Sequence, residues 1–375
     1  MNYKIFVNQP DLCGNEKKYL NKAFDSSFIS SSGNFIKEFE YKFSKKVNRK
    51  YAVLVSNGTV ALQIAIEALG IKKGDEVILP SFTIISCILP IIRIGAIPIL
   101  VDCNFDTWNM DINSVKKKIT KKTKLIIAPH IYGLPVEMDR LLFLAKKHGI
   151  KVLEDAAEVL GLKYNTKPCG SFGDISTFSF YINKHVTTGE GGMIVTDNKI
   201  LYNKCLSLKN LYFNDKKRFF HYGLGWNSRF TNIQAAIGLA QLEKLDQTIV
   251  KKKKIGENYH KGLDQLQNIQ LPLKYIEHSE NIYWVFGILL KNNKKKLTVN
   301  KIRRKLAHKG IETRNFFWPL HKQPVFTKMG LFKNLKLPVS EHLGKNGFYL
   351  PSGVALKKSE QNYIINTLKN IITDG

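Results

Sequence analysis

V-L-E-D-A-A-E-V-L-G (152–161), followed closely by G-S-F-G-D-I-S-T-F-S-F-Y-I-N-K-H-V-T-T-G-E-G-G-M-I-V-T-D (170–197), is the stretch around which this chain is organised. Its first part reads as a buried strand ending in two acids. A short connection leads to a second strand rich in aromatic and hydroxyl residues, then to a turn carrying one lysine, then to a glycine cluster that opens a third strand. Lys184 sits at the centre of this pattern, and Asp155 closes the first strand.

A lysine just past an apolar strand, with glycines downstream that let backbone approach closely, is placed where an amine could form a Schiff base with an aldehyde. Asp155 at a strand end could pair there with a buried cation. Together they point to pyridoxal phosphate, whose aldehyde is held by a lysine and whose pyridine nitrogen is kept protonated by a carboxylate. Spacing alone leaves an ordinary surface lysine open, since 58 of the 375 residues are Lys or Arg.

Working outward, strands are expected near residues 52–56, 76–79, 97–102, 125–129, 151–154, 176–180 and 193–196, mostly with helical segments between them. Such alternation favours an α/β fold with a mostly parallel sheet covered on both faces and ligands at the C-terminal strand ends. S-N-G-T (56–59) joins the first of these strands to a helix, whose free N–H groups and positive dipole end attract an anion. Gly58 and Thr59 are therefore phosphate candidates, although an ordinary helix cap accounts for Asn57 or Thr59 equally well. Single cores rarely grow past ~250–300 residues. A large α/β domain over residues 1–255 and a smaller α+β domain over 256–375 are accordingly expected.

F-S-F-Y-I-N-K-H-V-T-T-G-E-G-G-M-I-V-T-D (178–197) resembles the cofactor-lysine segment of the DegT/DnrJ/EryC1/StrS sugar-nucleotide aminotransferase family, and E-D-A-A-E (154–158) resembles its pyridine-binding acid motif. S-N-G-T-V-A-L (56–62), G-D-E-V-I-L-P-S-F-T (74–83), Y-G-L-P-V-E-M-D (132–139) and L-G-W-N-S-R-F-T-N-I-Q-A-A-I-G-L-A-Q-L (224–242) are similar to further family segments in the same order. The resemblance implies an aspartate-aminotransferase-like (fold type I) enzyme, pyridoxal 5'-phosphate as cofactor and a homodimer with shared active sites. It also implies transfer of an amino group from L-glutamate to a nucleotide-linked 4-keto-6-deoxy sugar for surface polysaccharide synthesis. Within the family, D-T-W-N-M-D (106–111) and G-I-E-T-R-N-F-F-W-P-L-H (310–321) look most like the branch acting on a GDP-linked sugar. A dTDP- or UDP-linked acceptor, amination at C3, and dehydration on the same cofactor are the alternatives.

By the same resemblance Lys184 holds the cofactor aldehyde, Asp155 holds the pyridinium proton, and Glu158 faces the phenolic oxygen or the reacting sugar. Ser179 is expected on the phosphate, with Asn227 reaching that phosphate from the other subunit. Arg229 is expected to support the Asn227 loop or to meet substrate phosphate, and His321 to lie in the sugar site. A related dehydratase branch carries histidine at the lysine position. Counting back from G-E-G-G, the aligned residue here is Lys184 and not His185, which favours transamination. Where relatives often stack an aromatic ring on the cofactor, this chain has Ile84, so an apolar contact or Phe82 is expected to stand in.

The formal charge of +28 raises the question of nucleic acid. Its lysines, however, come in short runs (116–118, 121–122, 251–254, 294–296) without interleaved aromatics, and read as solvated helix faces and turns. Five cysteines without a C-x-x-C pair signal neither a disulfide framework nor a metal site. No apolar run is long enough for a signal peptide or a membrane span, so a cytoplasmic protein is expected.

Overall fold

The computed structural model describes residues 3–213, 217, 219–291 and 297–373. The lysine run at 294–296 lies outside the described residues. Seven strands form the large sheet: β1 (Tyr51–Val55), β2 (Glu76–Pro80), β3 (Ile97–Val101), β4 (Thr123–Pro129), β5 (Lys151–Asp155), β6 (Ile175–Ser179) and β7 (Gly192–Thr196). Their spatial order is β1-β7-β6-β5-β4-β2-β3. The β2–β3, β2–β4, β4–β5 and β5–β6 pairs are parallel, while β7 runs antiparallel to both neighbours. One reversed strand in an otherwise parallel sheet brings the glycines of 189–192 back against the C-terminal ends of β1 and β6.

Alternation along the strands divides two cores. Ala52, Leu54, Ile126, Ala128 and Val152 join the cluster on one face, and Val53, Val55, Leu125, Ile127 and Leu153 join the other. That period of two, with both sets apolar, is what a sheet covered on both faces requires. Helix α1 (Glu16–Asp25) and α2 (Asn34–Lys46) cover the first face, α2 through Phe39 and Phe43. Helix α3 (Gly58–Ala68) covers the second with Ala61, Leu62, Ile64, Ala65 and Ile66.

Two further helices, α4 (Asn232–Glu243) and α5 (Leu245–Leu263), lead to a smaller unit. Its antiparallel sheet has the order β8-β9-β11-β10, built from β8 (Ile269–Gln270), β9 (Phe286–Leu290), β10 (Arg314–Asn315) and β11 (Gly347–Leu350). Helices α6 (Val299–His308) and α8 (Lys358–Thr373) pack on it, and α7 (Pro338–Asn346) precedes β11. The division expected after residue 255 falls inside α5: Leu245 packs in the large core, while Ile255, Tyr259 and Leu263 pack in the small one. Nor does the N-terminal segment stay with the large unit, since Ile5 bridges Ile311 and joins the small core.

An aromatic cluster of Phe82, Trp108, Tyr132, Trp284 and Phe316 fills the junction between the two units. The 251–254 run is also less uniform than a solvated face. Lys251 pairs with Asp11 at 2.7 Å and Lys253 pairs with Glu280, whereas Lys252 is buried. Among the described residues no helix is long and apolar enough to cross a membrane.

Candidate active site

The C-terminal ends of β1, β5 and β6 open into a cavity of about 640 Å³, closed from the other side by Trp284, Phe317 and Tyr349 of the small unit. Placement at these ends follows from the parallel topology, which points the α3 N-terminus, the loop after β5 and the turn after β6 toward one space.

The anion cradle is built first. Asn57 caps α3, its side-chain oxygen accepting from Val60 N–H at 2.9 Å and its carbonyl from Ala61 N–H at 3.0 Å. The Gly58 and Thr59 N–H groups find no acceptor among the described residues, and both residues line the cavity. Ser179 at the end of β6 faces them so closely that a Cβ on Gly58 would lie 2.9 Å from the Ser179 Cβ. The Thr59 hydroxyl is 2.8 Å from that of Ser86. Free N–H groups at a helix start, with hydroxyls converging on them, fit a phosphate.

Asp155 ends β5 buried at 6% exposure. Its carboxylate accepts from Ala157 N–H at 3.2 Å and from the Cys87 thiol at 3.4 Å. Burial pushes this carboxyl above its ordinary range, opposed by the Ala157 N–H, Cys87 and Lys184. A cation arriving from the cavity would supply the charge that the protein withholds, and a protonated pyridine nitrogen meets that requirement.

The Lys184 amine lies 3.6 Å from the Glu158 carboxylate and 3.6 Å from the centroid of the Trp284 ring. Burial pulls its pKa down from the usual lysine range, with Glu158 and then Asp155 pulling it back up. Glu158 is itself buried and is pushed up to about 7 by that burial, against the attraction of Lys184 and the Tyr132 N–H it accepts at 2.9 Å. An amine, a carboxylate near neutrality and a second buried acid on one wall are suited to carrying protons over short distances.

Gly58, Thr59, Asp155, Glu158, Ser179 and Lys184 are thus brought together, His321 is placed apart from them, and Arg229 and Ile84 each take one of the two places open to them. His321 lies outside the cavity lining, with both ring nitrogens in use: Nδ1 is 2.7 Å from the Ser81 hydroxyl and Nε2 is 3.0 Å from Glu341. It ties the P-S-F-T segment to the 319–322 loop, which also bonds Ser81 through Leu320 N–H, beside the Phe317 wall. His321→Ala is accordingly expected to lower stability by about 1–2 kcal/mol in urea melts, one buried and one part-buried hydrogen bond being lost, with the substrate KM nearly unchanged. Arg229 donates to Asn210 at 3.0 Å, bracing the loop that carries Asn227. Phe82 is fully buried in the junction cluster, whereas Ile84 lines the cavity.

His130, Glu154 and Cys169 lie close enough to suggest a metal site. Their bonding argues for a strut instead. His130 Nδ1 accepts from Val136 N–H, which leaves Nε2–H to donate to Glu154 at 3.0 Å. Glu154 also accepts from the Gly170 and Phe172 N–H groups and the Ser176 hydroxyl, so its lone pairs are occupied. Cys87, Trp284 and Tyr349 have no motif signal in the sequence, because each reads as ordinary core and reaches the site only through long-range packing.

Comparison with known proteins adds the following. Residues 10–369 match the model of the DegT/DnrJ/EryC1/StrS aminotransferase family. The chain is 44% identical over 370 residues to GDP-perosamine synthase of Escherichia coli O157:H7, covering 99% of each. A solved aminotransferase from Psychrobacter cryohalolentis is similar with a TM-score of 0.91 at 26% identity, over 98% of this chain and 99% of that one. The GDP-4-keto-6-deoxy-D-mannose-3-dehydratase of E. coli, solved with bound hydrated PLP, gives 0.89 at 26% identity, over 98% and 100%.

Proposed function

Because this chain belongs to the DegT/DnrJ/EryC1/StrS aminotransferase family, and is a pyridoxal-phosphate-dependent sugar aminotransferase, we propose that it converts GDP-4-keto-6-deoxy-D-mannose to GDP-perosamine with L-glutamate as amino donor. The full-length likeness to a GDP-perosamine synthase is the observation that carries the choice of acceptor. The product would serve surface polysaccharide synthesis. The dehydratase likeness is one of fold, and an amine at position 184 favours amino transfer over it.

Bound in the cavity, pyridoxal phosphate supplies an aldehyde and an electron-withdrawing ring that stabilises negative charge on the donor's α-carbon. The chain's residues do the rest. Gly58 and Thr59 N–H groups and the Ser179 hydroxyl hold the phosphate at the positive end of α3. Asp155 keeps the ring nitrogen protonated. Lys184 would hold the cofactor aldehyde, and its amine, when free, is the group placed to hold and move a proton beside the donor's α-carbon. Glu158, with a pKa near neutrality, exchanges a proton with Lys184 or with the sugar hydroxyl. The two-unit division at residues 1–255 and 256–375 belongs to this reading, with α5 as the shared joint.

Asn227 does not line its own chain's cavity, and its loop exposes Phe219, Leu224 and Trp226, as the 28–29 and 181–182 segments expose Phe28, Ile29, Tyr181 and Ile182. A homodimer in which this loop crosses to the partner's phosphate accounts for both facts. Mixing Lys184→Ala with Asn227→Ala protein should then regain activity, since one site of the mixed dimer has Lys184 from one chain and Asn227 from the other. No recovery would place each site within a single chain.

The direct test is the absorbance of the protein loaded with pyridoxal phosphate, before and after L-glutamate, followed by mass analysis after adding GDP-, dTDP- and UDP-linked 4-keto sugars. Conversion to the pyridoxamine form and amination of the GDP sugar are expected. Amination of only a dTDP or UDP sugar would overturn the acceptor, and a spectrum indifferent to glutamate would overturn the donor.

A further inference from the structure

The Lys184 amine has a neighbour on each of two sides, and only Glu158 has so far been given a role. The second is Trp284, buried at 4% exposure, whose ring centroid lies 3.6 Å from the Lys184 Nζ. It reaches Lys184 from the small unit and is held there from several directions. The indole N–H donates to the carbonyl of Asn183, the residue before Lys184, at 2.9 Å. Its own carbonyl accepts from the Lys252 amine at 2.9 Å, and that amine also reaches the Ser352 carbonyl. The residue before it, Tyr283, has φ +50°, in the left-handed region that a bulky side chain adopts only where its surroundings impose it. The Tyr283 N–H is tied to Asn281 Oδ1 at 2.7 Å. A strained backbone and a buried lysine thus converge on the placement of one indole.

Filling space would not require that arrangement, because an aliphatic side chain could serve. What an indole adds is the negative face of its π-system, which attracts a cation within about 6 Å more strongly than other rings do, and most in a desolvated site. Under the proposed function, on which this inference rests, the Lys184 amine is set free in every turnover and must hold a proton taken from carbon until it is returned. We propose that the indole face of Trp284 is the seat of the released Lys184 amine, favouring its ammonium form and aligning it for the return transfer. Trp284, which also lines the cavity, acts in this proposal through the Lys184 amine, so it is a positioning residue. It also makes the small unit answerable for the position of a group carried by the large one.

The charged and titratable groups around Lys184 define what else acts on its proton. Glu158, Asp155 and the Cys87 thiol face it from the large unit. His185 and Lys252 line a second, small cavity behind it together with Lys184 itself, and burial holds the His185 imidazole well below its usual range. Neither of these supplies a counter-charge. The Tyr349 phenol closes the cavity from the small unit and is pushed up to about 12 by burial.

Trace acetylation of the cofactor-free protein across a pH series, with the Lys184 peptide quantified by mass spectrometry, reads the midpoint of that amine directly. Trp284→Leu is expected to lower the midpoint by about one pH unit. Trp284→Phe should fall between Leu and the native chain, because it keeps a ring face while losing the indole N–H. Circular dichroism and thermal melts check that both variants fold. Replacing tryptophan by mono-, di- and trifluorotryptophan drains the ring face without changing its shape, and the midpoint should fall stepwise with each fluorine. A midpoint unmoved along that series, or equal in the Leu and Phe variants, would overturn the seat. Borohydride trapping of pyridoxal phosphate on Lys184 is measured separately on the native chain. Failure to trap would remove the Lys184 assignment, whereas the midpoints report on Trp284 whether or not cofactor binds.

Discussion

Lys184→Ala should abolish turnover while leaving a folded chain that still takes up pyridoxal phosphate through the cradle of Gly58, Thr59 and Ser179. Losing positioned proton transfer alone reduces rates by about 10²–10⁴-fold, and this variant also loses the group that holds the aldehyde. The spectrum of the loaded variant should be that of the free aldehyde, not that of a lysine-bound cofactor. A stable lysine-bound band persisting in it would contradict the assignment. The fold should survive because, among the described residues, the Lys184 side chain pairs with Glu158 and the Trp284 ring and is bonded to no strand. The stability change has a defined pH direction. Glu158 has a folded pKa of about 7, above its unfolded value, so its stabilising contribution is present at low pH and is lost as pH rises through 7. Without the Lys184 cation that pKa rises further, and the cost of burying the ammonium at low pH is also gone, so the melting temperature of the variant should fall relative to the native chain as pH rises from 6 to 9.

Asp155→Ala should lower kcat by about 10²–10³-fold, the usual size of removing one group that stabilises developing charge. The structural basis is that Asp155 is buried and, among the described residues, takes an N–H and a thiol as donors and no cation. Asp155→Asn, which keeps the shape, separates charge from packing. Since burial raises the folded pKa of Asp155, the stability it contributes is lost as pH rises through that value. The cofactor-free Asn variant should therefore melt above the native cofactor-free chain at pH 8. With pyridoxal phosphate bound the order should reverse, because only Asp155 gains a cation partner. Scanning calorimetry with and without cofactor reads both signs, and an Asn variant as active as the native chain would end the role assigned to Asp155.

Much of this was legible before any coordinates. Apolar runs of the right length between turn signals marked all seven strands of the large sheet, because strands covered on both faces must be apolar on both. Asp155, Lys184, Gly58 and Ser179 stood at strand ends and turns, where parallel topology concentrates ligand sites. Other expectations needed correction for reasons that local pattern does not contain. Lys252 stood in a basic run of an amphipathic helix, and only the packing of β9 and β11 against α5 supplied the two carbonyls that allow it to be buried. His321 looked like a loop histidine free for substrate until Ser81, 240 residues away, was found on one nitrogen and Glu341 on the other.

Sequence by itself determined the fold class, because periodicity and turn residues are encoded within a few neighbouring positions, and it offered the cofactor chemistry and its residues through motifs that resemble those of the family. The tertiary structure alone decided which of those residues share a cavity, how far burial moves their protons, and that an indole from the small unit meets the Lys184 amine. Those are properties of contacts between segments up to hundreds of residues apart, and of the dielectric they create together. No window of the chain contains both partners of such a contact.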